Sequence, residues 1–258
     1  MSPPLWTSDS ISRRLLALPE LGLRIKFFEG HLQGHQLREL SHGINKLIQI
    51  AHEGNQRARA ALLPFSIYLS RQRDSSLIFG LREEAQHQDL LALESVVRGG
   101  VREELPRENI LAPVYASQGG RELSVGERKS LARRPSRLEL EKLLHDPHPL
   151  VLSQLLAAPT LTEEDILVLV TRRPARQAAL EAVNANDRWM SRPAVRLAII
   201  LNPRTPHGMA LPLVLGCQRD DLKLIHQSTT LNPILRQVAQ EIYSILPPKR
   251  PGEAAPSF

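Results

Sequence analysis

The chain has 258 residues, of which 42% are hydrophobic, 23% are charged and 4% are aromatic, and its formal net charge is +6. This length can bury a substantial core, and the balance of apolar and charged residues argues against a disordered chain. The few aromatic residues, together with Leu and Ala at helical spacings, argue against a β-sandwich or β-barrel and predict an all-α protein.

Targeting signals are not evident at the start of the chain. The first residues, MSPPLWTSDSISRR, lack the features of a secretory signal, and no apolar run approaches the roughly 18 residues that a transmembrane helix needs. We therefore expect a cytoplasmic protein with no membrane insertion. Cys217 is the single cysteine, and its apolar surroundings predict a small core residue.

The amino-terminal half predicts three helices. His35 to Gly54 carries apolar residues along one face and ends at a glycine, which is typical of an amphipathic helix. Asn55 to Gln72 predicts a second helix that is kinked or broken at Pro64. Arg82 to Gly100 predicts a third helix that ends at its glycine pair.

Prolines and glycines between Val101 and Gly120 indicate a boundary after these helices. The final residues lack the apolar side chains that a core needs. The sequence therefore predicts a helical amino-terminal part at residues 1–105, helical repeats at 106–246 and a disordered tail at 247–258.

Two motifs recur in the second half of the chain. LARRPSR at Leu131–Arg137 returns 39 residues later as VTRRPAR at Val170–Arg176. HPLVLSQLLAAPTLT at His148–Thr162 returns 44 residues later as RPAVRLAIILNPRTP at Arg192–Pro206, with both prolines in the same places. The shift increases because about five residues enter around NANDRWMS, an insertion that carries Trp189.

Prolines and capping residues predict where the short helices of each repeat begin. Proline is favoured at the first helical position, where its missing N–H costs nothing. SVGE at 124–127 and TEED at 162–165 resemble capping boxes. The prolines predicted to start helices are Pro135, Pro149, Pro174, Pro193, Pro206 and Pro233.

Units of about 40 residues with two or three short helices resemble HEAT and armadillo repeats, over Pro135 to Leu246. GERKSLARRP and RWMSRPAVRLAIILNPRTP also resemble a bacterial family of HEAT-like proteins. The resemblance implies a right-handed α-solenoid and supplies no chemistry.

The repeated arginines are the first candidate binding site. Stacked units would place the arginines of one RRPxR motif beside those of the next, with neighbouring helices about 10 Å apart. The resulting ridge would suit phosphates or carboxylates. Alternatively, these arginines satisfy carbonyl groups and the negative dipole at helix C-termini.

The insertion around Trp189 is the second candidate, because inserted loops in repeat proteins often lie on the binding face. HEAT-repeat DNA glycosylases hold damaged DNA with an Asp, Trp and Arg residues, so that resemblance implies roles for Asp187, Trp189 and Arg192. This chain departs from that family because it lacks the further aromatic residues of such a groove. Alternatively, Trp189 packs against a neighbouring repeat and Asp187 caps a turn.

Metal and enzyme signatures are weak. His31, His35 and His42 have helical spacing, but no Glu completes an HExxH zinc signature, so we expect solvated histidines. The sequence also lacks a phosphate loop, a dinucleotide fingerprint, a Ser-His-Asp context and paired zinc cysteines. We expect no metal and no cofactor, and an enzyme is the less favoured interpretation.

These observations predict a non-enzymatic HEAT-like scaffold that binds a protein partner through a partly basic surface. The alternative is a nucleic-acid-binding HEAT-repeat protein of the DNA glycosylase type. The sequence does not indicate the oligomeric state. The residues predicted to bind an anion or a partner are Arg133, Arg134, Arg137, Arg172, Arg173, Arg176, Arg188, Trp189, Arg192 and Arg196.

Overall fold

The computed structural model describes residues 6–32, 36–73, 75–98 and 121–247. These residues form sixteen α-helices and one short 3-10 helix, with no β-strand among them. The prediction of an all-α protein is confirmed. Within the same ranges, no helix is both long and apolar enough to cross a membrane.

The chain divides into two units. Unit 1 comprises Met1–Val101 and Leu211–Phe258, and unit 2 comprises Arg102–Ala210. The predicted limit between residues 105 and 106 lies outside the described residues, and so do residues 248–258 of the predicted tail.

Unit 1 contains helices from both ends of the chain. The helices α2 and α3 pack against α4, α5 packs against α6, and α15 packs against α16. The helices of unit 1 are α1 (Ser8–Ala17), α2 (Leu21–His31), α3 (Gln36–His52), α4 (Gln56–Arg71), α5 (Ser75–His87), α6 (Leu91–Val97), the 3-10 helix (Val214–Gly216), α15 (Arg219–Gln227) and α16 (Pro233–Ile245).

Helix α3 forms as its apolar pattern predicts. Leu40, Ile44 and Ile48 are fully buried along one face. Gly54 follows the helix with a positive φ of 97°, a conformation that glycine adopts without strain. Near the end of α3, burial and then the positive charge of Arg59 lower the pKa of His52 from 6.5 to about 4.

Helix α4 is continuous through the buried Pro64, so the predicted break does not occur, and the alternative of a kink there stays a prediction. A second prediction for unit 1 is wrong. The helix predicted over Arg82–Gly100 is instead divided between α5 and α6. Asp89 causes the division because its φ of 53° is left-handed, while the Leu90 N–H donates to the carbonyl of Ala85 as at a helix C-cap.

Unit 2 is a succession of short helices around an apolar core. Helix α9 packs against α7 and α11, and α10 packs against α11 and α13. The helices are α7 (Val125–Leu131), α8 (Arg137–Leu143), α9 (Pro149–Leu156), α10 (Glu163–Thr171), α11 (Gln177–Asn184), α12 (Asp187–Met190) and α13 (Pro193–Ile200), while α14 (His207–Leu213) crosses the limit between the units.

The core of unit 2 is built from apolar side chains on its short helices. Val151 and Leu155 of α9, Ile166 of α10 and Val195 and Ile199 of α13 are all fully buried. Helices of seven to nine residues are unstable alone, so this burial supplies their stability.

The predicted capping boxes are confirmed. Ser124 with Glu127 caps α7, and Thr162 with Asp165 caps α10. A third box, Ser136 with Glu139, starts α8 and was not expected.

The predicted proline starts are correct in half of the cases. Pro149, Pro193 and Pro233 begin α9, α13 and α16. Pro135, Pro174 and Pro206 instead lie before their helices, so these three predictions are wrong. At α8 the reason is local, because the side chain of Ser136 caps the helix and leaves Pro135 outside it.

Candidate functional site

Side chains of the inserted helix α12 donate hydrogen bonds to carbonyls at and just after the C-terminal end of α9. Trp189 is only 2% exposed, and its indole N–H donates to the carbonyl of Leu156 over 2.9 Å. The Arg188 guanidinium lies 4.3 Å from the centre of that indole ring and donates to the carbonyls of Ala158 and Leu161. The side chain that caps α12 belongs to Asn186, not to Asp187.

A buried amide side chain donates to a carbonyl at the C-terminal end of α10. Asn202 is 1% exposed, and its amide donates to the carbonyl of Val170 over 2.6 Å. Arg173 donates to the carbonyl of Leu201 and to the side-chain oxygen of Asn202. Sequence reasoning missed Asn202, although a polar residue between a buried apolar helix and Pro203 is the signal that could have found it.

Arg196 and Arg192 also make internal contacts. Arg196 is 8% exposed and donates to the carbonyl of Met190 over 2.7 Å. The Nε of Arg192 lies 3.8 Å from a carboxylate oxygen of Glu163, and both side chains are partly exposed.

Arg137 pairs with the buried carboxylate that caps α10. Its guanidinium lies 2.7 Å from Asp165, whose side chain is 4% exposed. Burial alone would raise the pKa of Asp165, but hydrogen bonds from the backbone and hydroxyl of Thr162, and from Arg137, lower it below its usual value.

A buried ion pair that sequence reasoning missed joins α7 to the loop before α9. The Nε of Arg128 lies 3.2 Å from a carboxylate oxygen of Asp146, and these side chains are 10% and 0% exposed. The other Asp146 oxygen accepts from the backbone N–H of His148. The eighteen residues that separate the partners hide this pairing from any local pattern.

A surface cleft opens between the C-terminal ends of α8 and α10 and the start of α11. Arg172 and Arg176 lie in it together with a largely apolar floor. Arg176 is held in place because it donates to the carbonyl of His145 over 2.8 Å. The residues that line the cleft are Leu144, His145, Asp146, Pro147, Pro149, Leu152, Leu169, Arg172, Pro174, Ala175, Arg176, Ala178 and Ala179.

Arg172 is the open cation of this cleft. Its side chain is exposed, and its guanidinium makes no hydrogen bond or ion pair with any residue that the structure describes, whereas its backbone carbonyl lies 3.4 Å from the amide nitrogen of Asn202. Arg133 and Arg134 are likewise exposed, and their guanidinium groups make no such contacts inside the described ranges. These three guanidinium groups are therefore available to an anion.

The other arginines of the two repeated motifs point to separate places. Arg137 pairs with Asp165 in the first turn of α10, whereas Arg176 donates to the carbonyl of His145, just after the end of α8. Arg137 is not among the residues that line the cleft. The structure therefore brings Arg172 and Arg176 into one cleft but does not place Arg137 with them.

The histidines with helical spacing do not form a metal site in the described part of the chain. His31 stacks on Phe27 with ring centres 4.4 Å apart, and its Nδ1 lies 2.7 Å from the carbonyl of that residue. His42 is exposed, and His35 lies outside the described residues. No group of three His, Cys, Asp or Glu side chains that could hold a metal occurs in the part of the chain that the structure describes.

No known family, curated protein or solved structure matches this chain. The candidate site consequently rests on the chemistry of its own residues. That chemistry is ion pairing and burial of apolar surface at a cleft whose lining includes the exposed guanidinium of Arg172.

Proposed function

We propose that this chain is a HEAT/armadillo-like α-solenoid scaffold that binds a protein partner through a partly basic surface. The cleft of unit 2 is the centre of that surface, and the exposed Arg172 at its edge is the observation that carries the proposal.

Recurrent packing within unit 2 supports the repeat architecture. Helix α7 packs against α9, and α10 packs against α13. In each pair a helix that begins with a capping box meets a later helix that begins with proline. The same relation one unit further along the chain is what stacked helical repeats require.

An exposed apolar side chain beside the cleft supports a protein partner. Val168 is 61% exposed in the last turn of α10, where it precedes the cleft residue Leu169 directly and the cleft residue Arg172 by four positions. Leu150, which follows the cleft residue Pro149, is 56% exposed. Apolar contacts beside an arginine are typical of protein interfaces.

The nucleic-acid alternative draws less support from the same surface. It requires Asp187, Trp189 and Arg192 to line a groove, but the Trp189 ring is 2% exposed and donates its N–H internally. Single-stranded nucleic acid binding usually employs exposed aromatic rings, and the cleft lining contains no Phe, Tyr or Trp.

The proposal is tested by an affinity pull-down from the native host with and without nuclease. The full chain should retain a protein partner after nuclease treatment, and Arg172→Glu should capture much less of it. Lys223→Glu is the matched control, because it makes the same charge change at an exposed position in unit 1. Loss of capture on nuclease treatment, or equal capture by Arg172→Glu and the wild type, would overturn the proposal.

A further inference from the structure

The geometry points to the chemical class of the partner segment: we propose that the cleft accepts an acidic, partly apolar peptide segment. One carboxylate of the peptide pairs with Arg172, and an adjacent aliphatic side chain packs on Val168. This inference rests on the proposed function, because it concerns the same surface.

The charge of the cleft favours a negatively charged segment. Arg172 is exposed, and Arg176 is fixed beside it by its bond to His145. Asp146 also lines the cleft, but its side chain is 0% exposed and its charge faces Arg128. Positive charge therefore prevails where a ligand would lie.

The shape and lining of the cleft favour a peptide over a nucleic acid. Most of the lining residues are Pro, Ala or Leu, whose side chains supply apolar surface and no hydrogen-bond donors for phosphate groups along a strand. A duplex or single strand requires a longer track of cations than one open arginine beside one fixed arginine. A carboxylate requires only the planar fork of one guanidinium.

The two arginines have different roles in this arrangement. Arg176 donates one of its N–H groups to the carbonyl of His145, so it stabilises the side of the cleft and attracts the peptide carboxylate from a distance. Arg172 is exposed and its guanidinium makes no contact in the described part of the chain, so it is the residue that contacts the carboxylate. Substitution of Arg172 should therefore alter binding without altering the fold.

The test is selection of random short peptides displayed on phage against the purified full chain. We expect the selected peptides to be enriched in Asp and Glu with a neighbouring Leu, Ile or Val. Arg172→Glu should weaken their binding by about tenfold, equivalent to about 1.4 kcal/mol, and Val168→Ala by about threefold. Lys223→Glu should leave binding unchanged.

Exchange of charge makes the test specific. A selected peptide in which the acidic residue is replaced by Lys should bind Arg172→Glu more tightly than it binds the wild type. Enrichment of neutral or basic peptides, equal binding to Arg172→Glu, or no selected peptide would overturn the inference. Circular dichroism of each variant checks that the fold is retained.

The failure of this inference differs from the failure of the proposed function. If the pull-down partner depends on Arg172 but no acidic peptide is selected, the scaffold stands and the peptide class is wrong. If a labelled DNA duplex or single strand binds in an Arg172-dependent manner while acidic peptides do not, nucleic acid is the ligand and both proposals fail.

Discussion

Substitution of Trp189 by Phe separates a structural role of this residue from a binding role. The change retains a ring in the buried position but removes the indole N–H that donates to the carbonyl of Leu156. A buried carbonyl left without its donor costs about 1–3 kcal/mol. The lower part of this range applies, because the amide of Asn186 also lies 3.4 Å from the same carbonyl.

Loss of ring volume adds a small cavity term, so we expect the free energy of unfolding to fall by about 2 kcal/mol. With a urea dependence of about 2 kcal/mol per molar, the unfolding midpoint should fall by about 1 M. The measurement is urea denaturation followed by far-ultraviolet circular dichroism, since the substitution also removes a fluorescent tryptophan. An unchanged midpoint together with lost partner binding would refute the reasoning and restore Trp189 as a contact residue.

Two further substitutions test buried polar groups. Because the folded-state pKa of His52 is lowered to about 4 from 6.5, its stabilising contribution is complete above pH 6.5 and is lost as the pH falls through 4. The wild type should lose about 3 kcal/mol of stability between pH 6.5 and pH 4. Urea midpoints measured across this pH range should fall less for His52→Gln than for the wild type. His87→Gln, a control at an exposed position, should behave as the wild type. Arg128→Met leaves the Asp146 carboxylate buried without its cation, so the free energy of unfolding should fall by about 3–5 kcal/mol, as measured by thermal denaturation. The double variant Arg128→Met/Asp146→Asn should recover part of this loss. Equal losses in the two variants would contradict a pairing role.

The features that the sequence predicts correctly depend on neighbours a few residues apart. The amphipathic face of α3 and the capping box of Thr162 and Asp165 are examples, because each interaction closes within one helical turn. Where two local signals compete the prediction can be wrong, as at α8, where the Ser136 cap prevails over Pro135.

The candidate site could be predicted only in part, because its geometry depends on contacts between distant residues. The spacing of the repeated arginines is visible in the sequence. Whether a guanidinium is exposed to solvent or hydrogen-bonded depends on which backbone carbonyl lies within its reach. Arg188 reaches carbonyls 27 and 30 residues earlier, and Trp189 reaches one 33 residues earlier. Arg172 has the same motif position as Arg133, yet the cleft that it lines includes residues up to 28 positions earlier, such as Leu144, and no local pattern predicts that they meet.

Capture of a host protein by Arg172→Glu and Trp189→Phe, compared in one nuclease-treated pull-down, tests the central claim most directly. The account predicts that Trp189→Phe, below its unfolding temperature, captures the partner as well as the wild type does, whereas Arg172→Glu captures much less. Undiminished capture by Arg172→Glu, with capture lost in folded Trp189→Phe, would contradict the account and move the binding site to the insertion.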